Sequence, residues 1–308
     1  MTTSDEVLAE VSEGVGRVVL NRPRAINALT PAMIDALLET LEGWADDDRV
    51  ESVLLTGAGA RGLCSGADVR ALRELALAGD PGADAFFARE YRLNGVIASY
   101  PKPYEARMTG ITMGGGLGVS AHGSHRVVDA TSRLAMPETG IGLFPDVGML
   151  WHLARAGALG AYMALTGSAV DGPTAVRAGL ADVSDAEDTG RTVSGEDWVG
   201  ECFSASSVAE ILERLDGDWD TPEPSACAAV LRSRCPLSVA VTWEALQRAR
   251  EMTSVEQVLA QDLTLATYLV HHADFAEGVR AQLVDKDRTP RWSHARLEDV
   301  TPAEVAEA

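Results

Sequence analysis

The sequence predicts an α/β core followed by a helical C-terminal region. Strand–loop–helix units recur through the first part of the chain, its character changes near Gly195, and long helical patterns occupy the remainder. With 46% hydrophobic residues, the 308-residue chain can bury a sizeable core. At about 150 residues per domain, the length fits one large domain or two small ones. The boundary is drawn between 195 and 196, giving a core over 1–195 and a helical region over 196–308.

Residues 7–11 and 17–20 flank Ser12-Glu13-Gly14-Val15-Gly16, which predicts a hairpin. A helix begins at Thr30, a hydroxyl N-cap, with Pro31 in the first helical position. Its apolar residues Met33, Ile34, Leu37, Leu38, Leu41 and Trp44 recur at helical spacing, and Asp46-Asp47-Asp48 ends it. Residues 50–55 read as a strand, 57–66 as a glycine-rich loop and 68–77 as a helix. Next comes a helix carrying Phe86, Phe87, Glu90, Tyr91, Asn94 and Ile97, then a strand over 102–108. A tight glycine loop over 110–116 enters a helix over 117–122. Short strands at 126–128 and 133–135 lead into a loop from 136 to 148. Further on, 217–224 reads as an acidic linker, and 237–250 and 255–270 as helices, the second opened by Ser254. Whether this helical part is a separate cap or folds back over the core stays open at this level.

Forty-six acidic against 26 basic residues leave a formal net charge of −20. Nucleic acid and anionic membrane bind through clustered positive charge, so neither is expected as a partner. An anionic small molecule remains possible, gripped locally by a few arginines or by backbone N–H groups. No apolar run reaches the ~18 residues of a membrane span. The start, Met1-Thr2-Thr3-Ser4-Asp5-Glu6, has neither the basic nor the apolar region of a signal peptide. Cys64, Cys202, Cys227 and Cys235 are scattered and read as reduced thiols, so a cytoplasmic location is expected. His122 and His125 form H-x-x-H and His271-His272 are adjacent, but neither pair has a third ligand nearby, so no metal site is expected.

Gly57-Ala58-Gly59-Ala60-Arg61-Gly62 matches the G-x-G-x-x-G of a dinucleotide-binding turn. Its context fails, because five residues separate Gly62 from the next helix and no acidic residue closes a following strand. It reads as a plain β-to-α turn. More informative are residues 64–70 (Cys-Ser-Gly-Ala-Asp-Val-Arg) and Gly114-Gly115-Gly116. Each sets small residues at a loop-to-helix junction, where backbone N–H groups are unpaired and the helix dipole is positive. Two such N–H groups aimed at one point make an oxyanion hole for a carbonyl oxygen that gains charge.

Residues 21–29 (Asn-Arg-Pro-Arg-Ala-Ile-Asn-Ala-Leu), 65–70 and 110–118 resemble, in order and spacing, the crotonase (enoyl-CoA hydratase/isomerase) superfamily. The resemblance covers about residues 5–185. It implies a crotonase-like spiral of ββα units with a helical C-terminal region, and oxyanion-hole N–H groups at Ala67 and Gly115. It also implies an acyl-CoA substrate, no separate cofactor since coenzyme A is part of the substrate, and a homo-oligomer, trimer or hexamer. Enoyl-CoA hydratases carry two glutamates; here Gly118 stands at the first position and Glu138 at the second, which disfavours plain hydration. Residues 136–148, with Asp146 where hydratases usually have glycine, look like the 3-hydroxyisobutyryl-CoA hydrolase subfamily, associated with valine breakdown. Residues 274–292 extend the match, and Glu90 falls where that subfamily has a substrate-contacting glutamate. The implied reaction converts 3-hydroxyisobutyryl-CoA to 3-hydroxyisobutyrate and CoA.

Thioester hydrolysis requires activated water, or a carboxylate that first takes the acyl group, and then departure of the thiolate. Glu138 lies among Leu134, Met136, Ile141 and Leu143, surroundings that raise a carboxyl pKa toward proton transfer. It serves either as nucleophile or as base, and the sequence leaves both open. Asp146 would orient the water or bind the 3-hydroxyl. Substrate-binding groups are expected at Glu90, Arg24, Ala25, Asp68, Arg70 and Gly114, with Arg22 a further candidate for phosphate. Two features depart from the subfamily: Met149-Leu150-Trp151-His152 replaces a glycine and an aromatic, and Glu105 and Arg107 put charge into a strand that is normally apolar. Buried there, those charges would be costly. Two other readings compete: hydration or isomerisation driven by Glu138 alone, and a non-catalytic acyl-CoA-binding paralogue.

Overall fold

In the computed structural model, residues 5–184 and 197–308 are described, and the boundary drawn at 195–196 lies outside them. The hairpin forms because Glu13 and Gly14 both take positive φ (52° and 79°), the turn whose twist matches paired strands. It joins β1 (Val7–Ser12) to β2 (Val15–Leu20), with Ser12 opposite Val15 and Val7 opposite Leu20. The helix α1 (Pro31–Ala45) starts at its cap, Thr30 Oγ1 accepting from the Met33 N–H at 3.2 Å. Its Trp44 packs on β2 at Gly16, where a Cβ would come within 2.6 Å of the indole ring. The strand β3 (Ser52–Gly57) runs parallel to β2 and starts two residues later than the apolar run indicates, Val50 being buried just ahead of it.

Next come α2 (Val69–Ala78), α3 (Gly82–Ala98), β4 (Tyr104–Arg107), β5 (Ile111–Met113), α4 (Gly115–Gly118), β6 (His125–Val128) and β7 (Arg133–Ala135). Two of these differ from the sequence reading. Residues 111–113 are strand, because they find β7 as a parallel partner. The expected helix over 117–122 is one turn made by the glycines themselves. Close packing of Gly116 on Cys64 and of Gly118 on Val147 outweighs the poor helix propensity of glycine.

The large sheet has the order β1-β2-β3-β4-β6-β8, where β8 is Val183–Ser184, and is parallel from β2 onward. While β4 lies beside β6 in this sheet, β5 lies beside β7 in a second one, so each ββ unit stacks on the next as a spiral. Isolated bridges extend the inner strip: Leu29 to Ala67, Cys64 to Thr112, and Leu134 to Val170. In the G-x-G-x-x-G stretch, Gly62 bridges to Gly110 and serves as a structural turn. Glu105 and Arg107 lie on the open outer face of the large sheet and pair at 2.9 Å, while Tyr104 and Ala106 face the core. The cost of burying those two charges does not arise.

The remaining helices are α5 (Met149–Arg155), α6 (Gly157–Thr166), α7 (Gly172–Arg177), α8 (Asp197–Phe203), α9 (Val208–Leu215), α10 (Glu223–Ser233), α11 (Pro236–Glu251), α12 (Val255–Leu269), α13 (Ala273–Val279) and α14 (Pro302–Glu307). The stretch expected as a linker is a short connection instead. Trp219 Nε1 donates to the Arg214 carbonyl at 2.9 Å and Pro224 opens α10. Helix α11 packs on α5 and α6, α12 on α3, and α13 on α2. Leu246, Val258 and Leu269 thereby join the same apolar core as Val53 and Leu55. The helical region folds back over the α/β part. All four cysteines are free and buried.

Candidate active site

The inner strip of the spiral sends two loops to one place. After Cys64 the chain turns at Gly66 (φ 102°) to Ala67, and after Met113 it turns at Gly114 (φ 50°) to Gly115. The loops touch: the Ala67 nitrogen is 3.4 Å from where a Cβ on Gly115 would sit. Among the described residues neither the Ala67 nor the Gly115 N–H is taken by an acceptor. Both are left to polarise a ligand's oxygen in a cleft of about 930 Å³ that opens beside them.

Three carboxylates surround this point, brought by three separate segments. Glu90 comes from α3, Glu138 from the 3-10 turn Glu138–Gly140, and Asp146 from the loop before α5. They are 1%, 7% and 6% exposed, so each meets the cleft rather than bulk water. Glu90 Oε1 is 2.3 Å from a Cβ placed on Gly115, and Glu138 Oε1 is 2.7 Å from one placed on Gly114. Any side chain at either glycine would displace a carboxylate. Glu90 Oε1 and Glu138 Oε2 have no protein partner among the described residues, which leaves them for water or substrate.

Electrostatics separates the three acids. Burial pushes the Asp146 carboxyl up to about 6, against the opposing effect of the Tyr91 hydroxyl, which donates to Oδ2 at 2.6 Å. Burial raises Glu138 and Glu90 well above the usual carboxylate range, and the nearby Asp146 charge adds to both. Of the three, Asp146 is the one that accepts a hydrogen bond from a side-chain hydroxyl, which favours its ionised form, while burial favours the protonated forms of the two glutamates.

Asp146 is followed by two left-handed residues, Val147 (φ 52°) and Gly148 (φ 76°). A β-branched residue there is strained, at a cost of roughly 1–3 kcal/mol, and persists only where its surroundings over-determine it. They do. His122 Nε2 lies 2.7 Å from the Val147 carbonyl and so donates to it, leaving Nδ1 to accept from His152 Nε2 at 3.3 Å. The Gly148 N–H donates to the buried Asp262 Oδ2 at 2.7 Å. The Val147 side chain also fills the space over Gly118, where a Cβ would come 2.7 Å from Val147 Cβ and 2.8 Å from Asn94 Nδ2. Position 118 is closed to any side chain.

The cleft mouth carries Arg24, Arg61, Arg70, Lys286 and Arg288, with Ala25 beside them. Arg24 is exposed, whereas Arg70 donates to the Leu283 carbonyl and braces the mouth. Asp68 borders the cleft, but its carboxylate pairs with Arg22 at 3.3 Å, and Arg22 pairs with Glu6 at 3.0 Å. Those two charges join residues 21–29 to residues 65–70. Sequence reasoning missed Tyr91, Asp262, Lys286 and Arg288. The alternation Asp285-Lys286-Asp287-Arg288 was the one local signal available for the last two.

Comparison with known proteins identifies the family. The profile of the family described as enoyl-CoA hydratase/isomerase matches residues 15–191 and 183–308. The mitochondrial 3-hydroxyisobutyryl-CoA hydrolase of Rattus norvegicus is 37% identical, over 99% of this chain and 88% of its own length. That of Homo sapiens is 35% identical, over 98% and 88%. Among solved structures, a carnitinyl-CoA dehydratase from Mycobacterium thermoresistibile superposes with a TM-score of 0.94 at 40% identity, covering 99% of this chain and 96% of that one. An enoyl-CoA hydratase from Rhodobacter sphaeroides 2.4.1 gives 0.93 at 38% identity, covering 98% and 96%. By sequence and by fold, the chain belongs to the enoyl-CoA hydratase/isomerase, or crotonase, family.

Proposed function

We propose that the protein hydrolyses the thioester of a short branched 3-hydroxyacyl-CoA, with 3-hydroxyisobutyryl-CoA as the leading substrate. The observation that carries this reading is the closed position 118, taken with the acids that stand elsewhere. The place where a hydratase would carry its first glutamate is filled by Val147 and Asn94, and acid groups enter from α3 and from the Asp146 loop instead.

The thioester oxygen accepts from the Ala67 and Gly115 N–H groups, which hold the oxyanion as the carbonyl carbon becomes tetrahedral. Asp146, whose ionised form the Tyr91 hydroxyl favours, takes a proton from water as the water oxygen bonds to that carbon. The C–S bond then breaks, and the sulfur leaves as thiol with the proton held by Glu138. Glu90, protonated beside Gly115, donates to the acyl 3-hydroxyl or to the water. The base role considered for Glu138 passes in this scheme to Asp146, since the Tyr91 hydroxyl favours the Asp146 carboxylate while burial favours protonated Glu138.

Release of free CoA thiol from 3-hydroxyisobutyryl-CoA, followed with a thiol reagent, tests the proposal. Glu138→Gln, which cannot give up a proton, is expected to lower kcat by at least about a hundredfold. Full activity in that variant would refute the scheme. A second reading is hydration or dehydration, favoured by the names of the two solved structures that superpose so closely. Loss of enoyl absorbance from crotonyl-CoA without thiol release would establish it instead.

A further inference from the structure

After α13 the helix widens into a π turn, Arg280–Val284, and the next four residues alternate in charge: Asp285, Lys286, Asp287 and Arg288. Both acidic side chains turn to one guanidinium. Arg280 Nη1 donates to Asp285 Oδ2 at 2.6 Å and to Asp287 Oδ2 at 2.7 Å. Its other edge grips Glu277 through Nε and Nη2, both at 2.8 Å. Glu277 in turn accepts from the Arg291 N–H at 2.8 Å, so the far end of the segment is tied to the same point.

The alternating residues go the other way. Lys286 and Arg288 border the cleft mouth, and each has left-handed backbone, φ 59° and 58°. Two long side chains in that region, one residue apart, need external support to stay there. Arg280 supplies it by holding the two aspartates between and beside them. Pairing also matters for charge: aspartates facing the mouth would repel any anion that Lys286 and Arg288 attract.

We infer that Arg280 is a positioning residue for anion recognition. By pairing with Asp285 and Asp287, it holds Lys286 and Arg288 over the cleft mouth, where they bind the phosphates of a nucleotide-bearing thiol ester. The inference rests on the reading that the cleft takes a coenzyme A thioester, and it identifies which intramolecular contact makes the grip possible in a chain of net charge −20.

Calorimetric binding of CoA and of pantetheine, which lacks the nucleotide and its phosphates, tests it on the full chain. Arg280→Ala is expected to weaken CoA binding at least tenfold and to change pantetheine binding less than twofold. The Lys286→Ala/Arg288→Ala pair should cost about as much, and adding it to Arg280→Ala should cost less than twofold more. Should Arg280→Ala melt early, Asp285→Asn/Asp287→Asn, which keeps the Arg280–Glu277 pair, should show the same selective loss. CoA binding within twofold of wild type in either variant would overturn the inference, as would equal losses for CoA and pantetheine. Tight CoA binding by a wild-type protein that releases no thiol would remove the proposed reaction and leave this inference standing. A wild-type protein that binds no CoA would remove both.

Discussion

Asp146→Asn should abolish thiol release and at the same time stabilise the fold. The folded-state carboxyl titrates at about 6 against a reference of 3.8, because burial disfavours its charge. At 1.36 kcal/mol per tenfold change in proton affinity, the rise from 3.8 to about 6 sets the cost of the buried charge at about 3 kcal/mol at most. The shift is upward, so the folded state binds the proton more tightly than the unfolded chain. The cost is therefore absent below about pH 4, grows between 4 and 6, and is complete above 6. Asparagine keeps an acceptor for the Tyr91 hydroxyl and carries no charge. Urea unfolding at pH 7.5 should show the variant more stable by up to about 3 kcal/mol, with Tm higher by roughly 5 °C, and the gain should vanish at pH 4. In the wild type, activity should rise through an acid limb near pH 6. A variant no more stable than wild type at pH 7.5, or a gain that persists unchanged at pH 4, would refute this account of the site.

Three further outcomes are expected. Gly118→Ala pushes a methyl against Val147 and Asn94 and should destabilise the protein by about 1–3 kcal/mol in urea, as overpacked sites do; unchanged stability would mean that position 118 is open. Asp262→Ala removes the acceptor of the Gly148 N–H and should lower kcat about tenfold with little change in KM, while Asp262→Asn, which retains an acceptor, should recover most of it. Glu105→Ala should shift stability by less than about 0.5 kcal/mol, because its pair with Arg107 is partly exposed to water.

What could be read in the sequence depended on the range of each interaction. Thr30 and Ser254 cap α1 and α12 as their positions indicate, since a cap needs only the next turn of chain. Ala67 and Gly115 come together because both follow inner strands, and the order of motifs carried that information. Tyr91 and Asp262 were invisible, since Tyr91 meets Asp146 across 55 residues and Asp262 meets Gly148 across 114. No local pattern encodes such contacts. The pairing of Asp68 with Arg22 was hidden in the same way, since it spans 46 residues. The strand at 111–113 was hidden by the glycines around it, although pairing with β7 decides its state.

The packing of α12 on α3 also has a consequence in time. Glu90 and Tyr91 stand on α3, whereas Asp262 stands on α12, and two of the five cations of the cleft mouth come later still, at 286 and 288. At 5–20 residues per second, a ribosome needs roughly 5–20 s to make the hundred or so residues that separate β8 from Arg288. Early in that interval the nascent chain already holds all three acids and both glycine loops, yet until Asp262 is made the Gly148 N–H lacks its acceptor, and until 286 and 288 are made the mouth lacks two of its five cations. An interrupted copy would keep the reactive groups without their setting. Completeness of synthesis is thus written into the site itself.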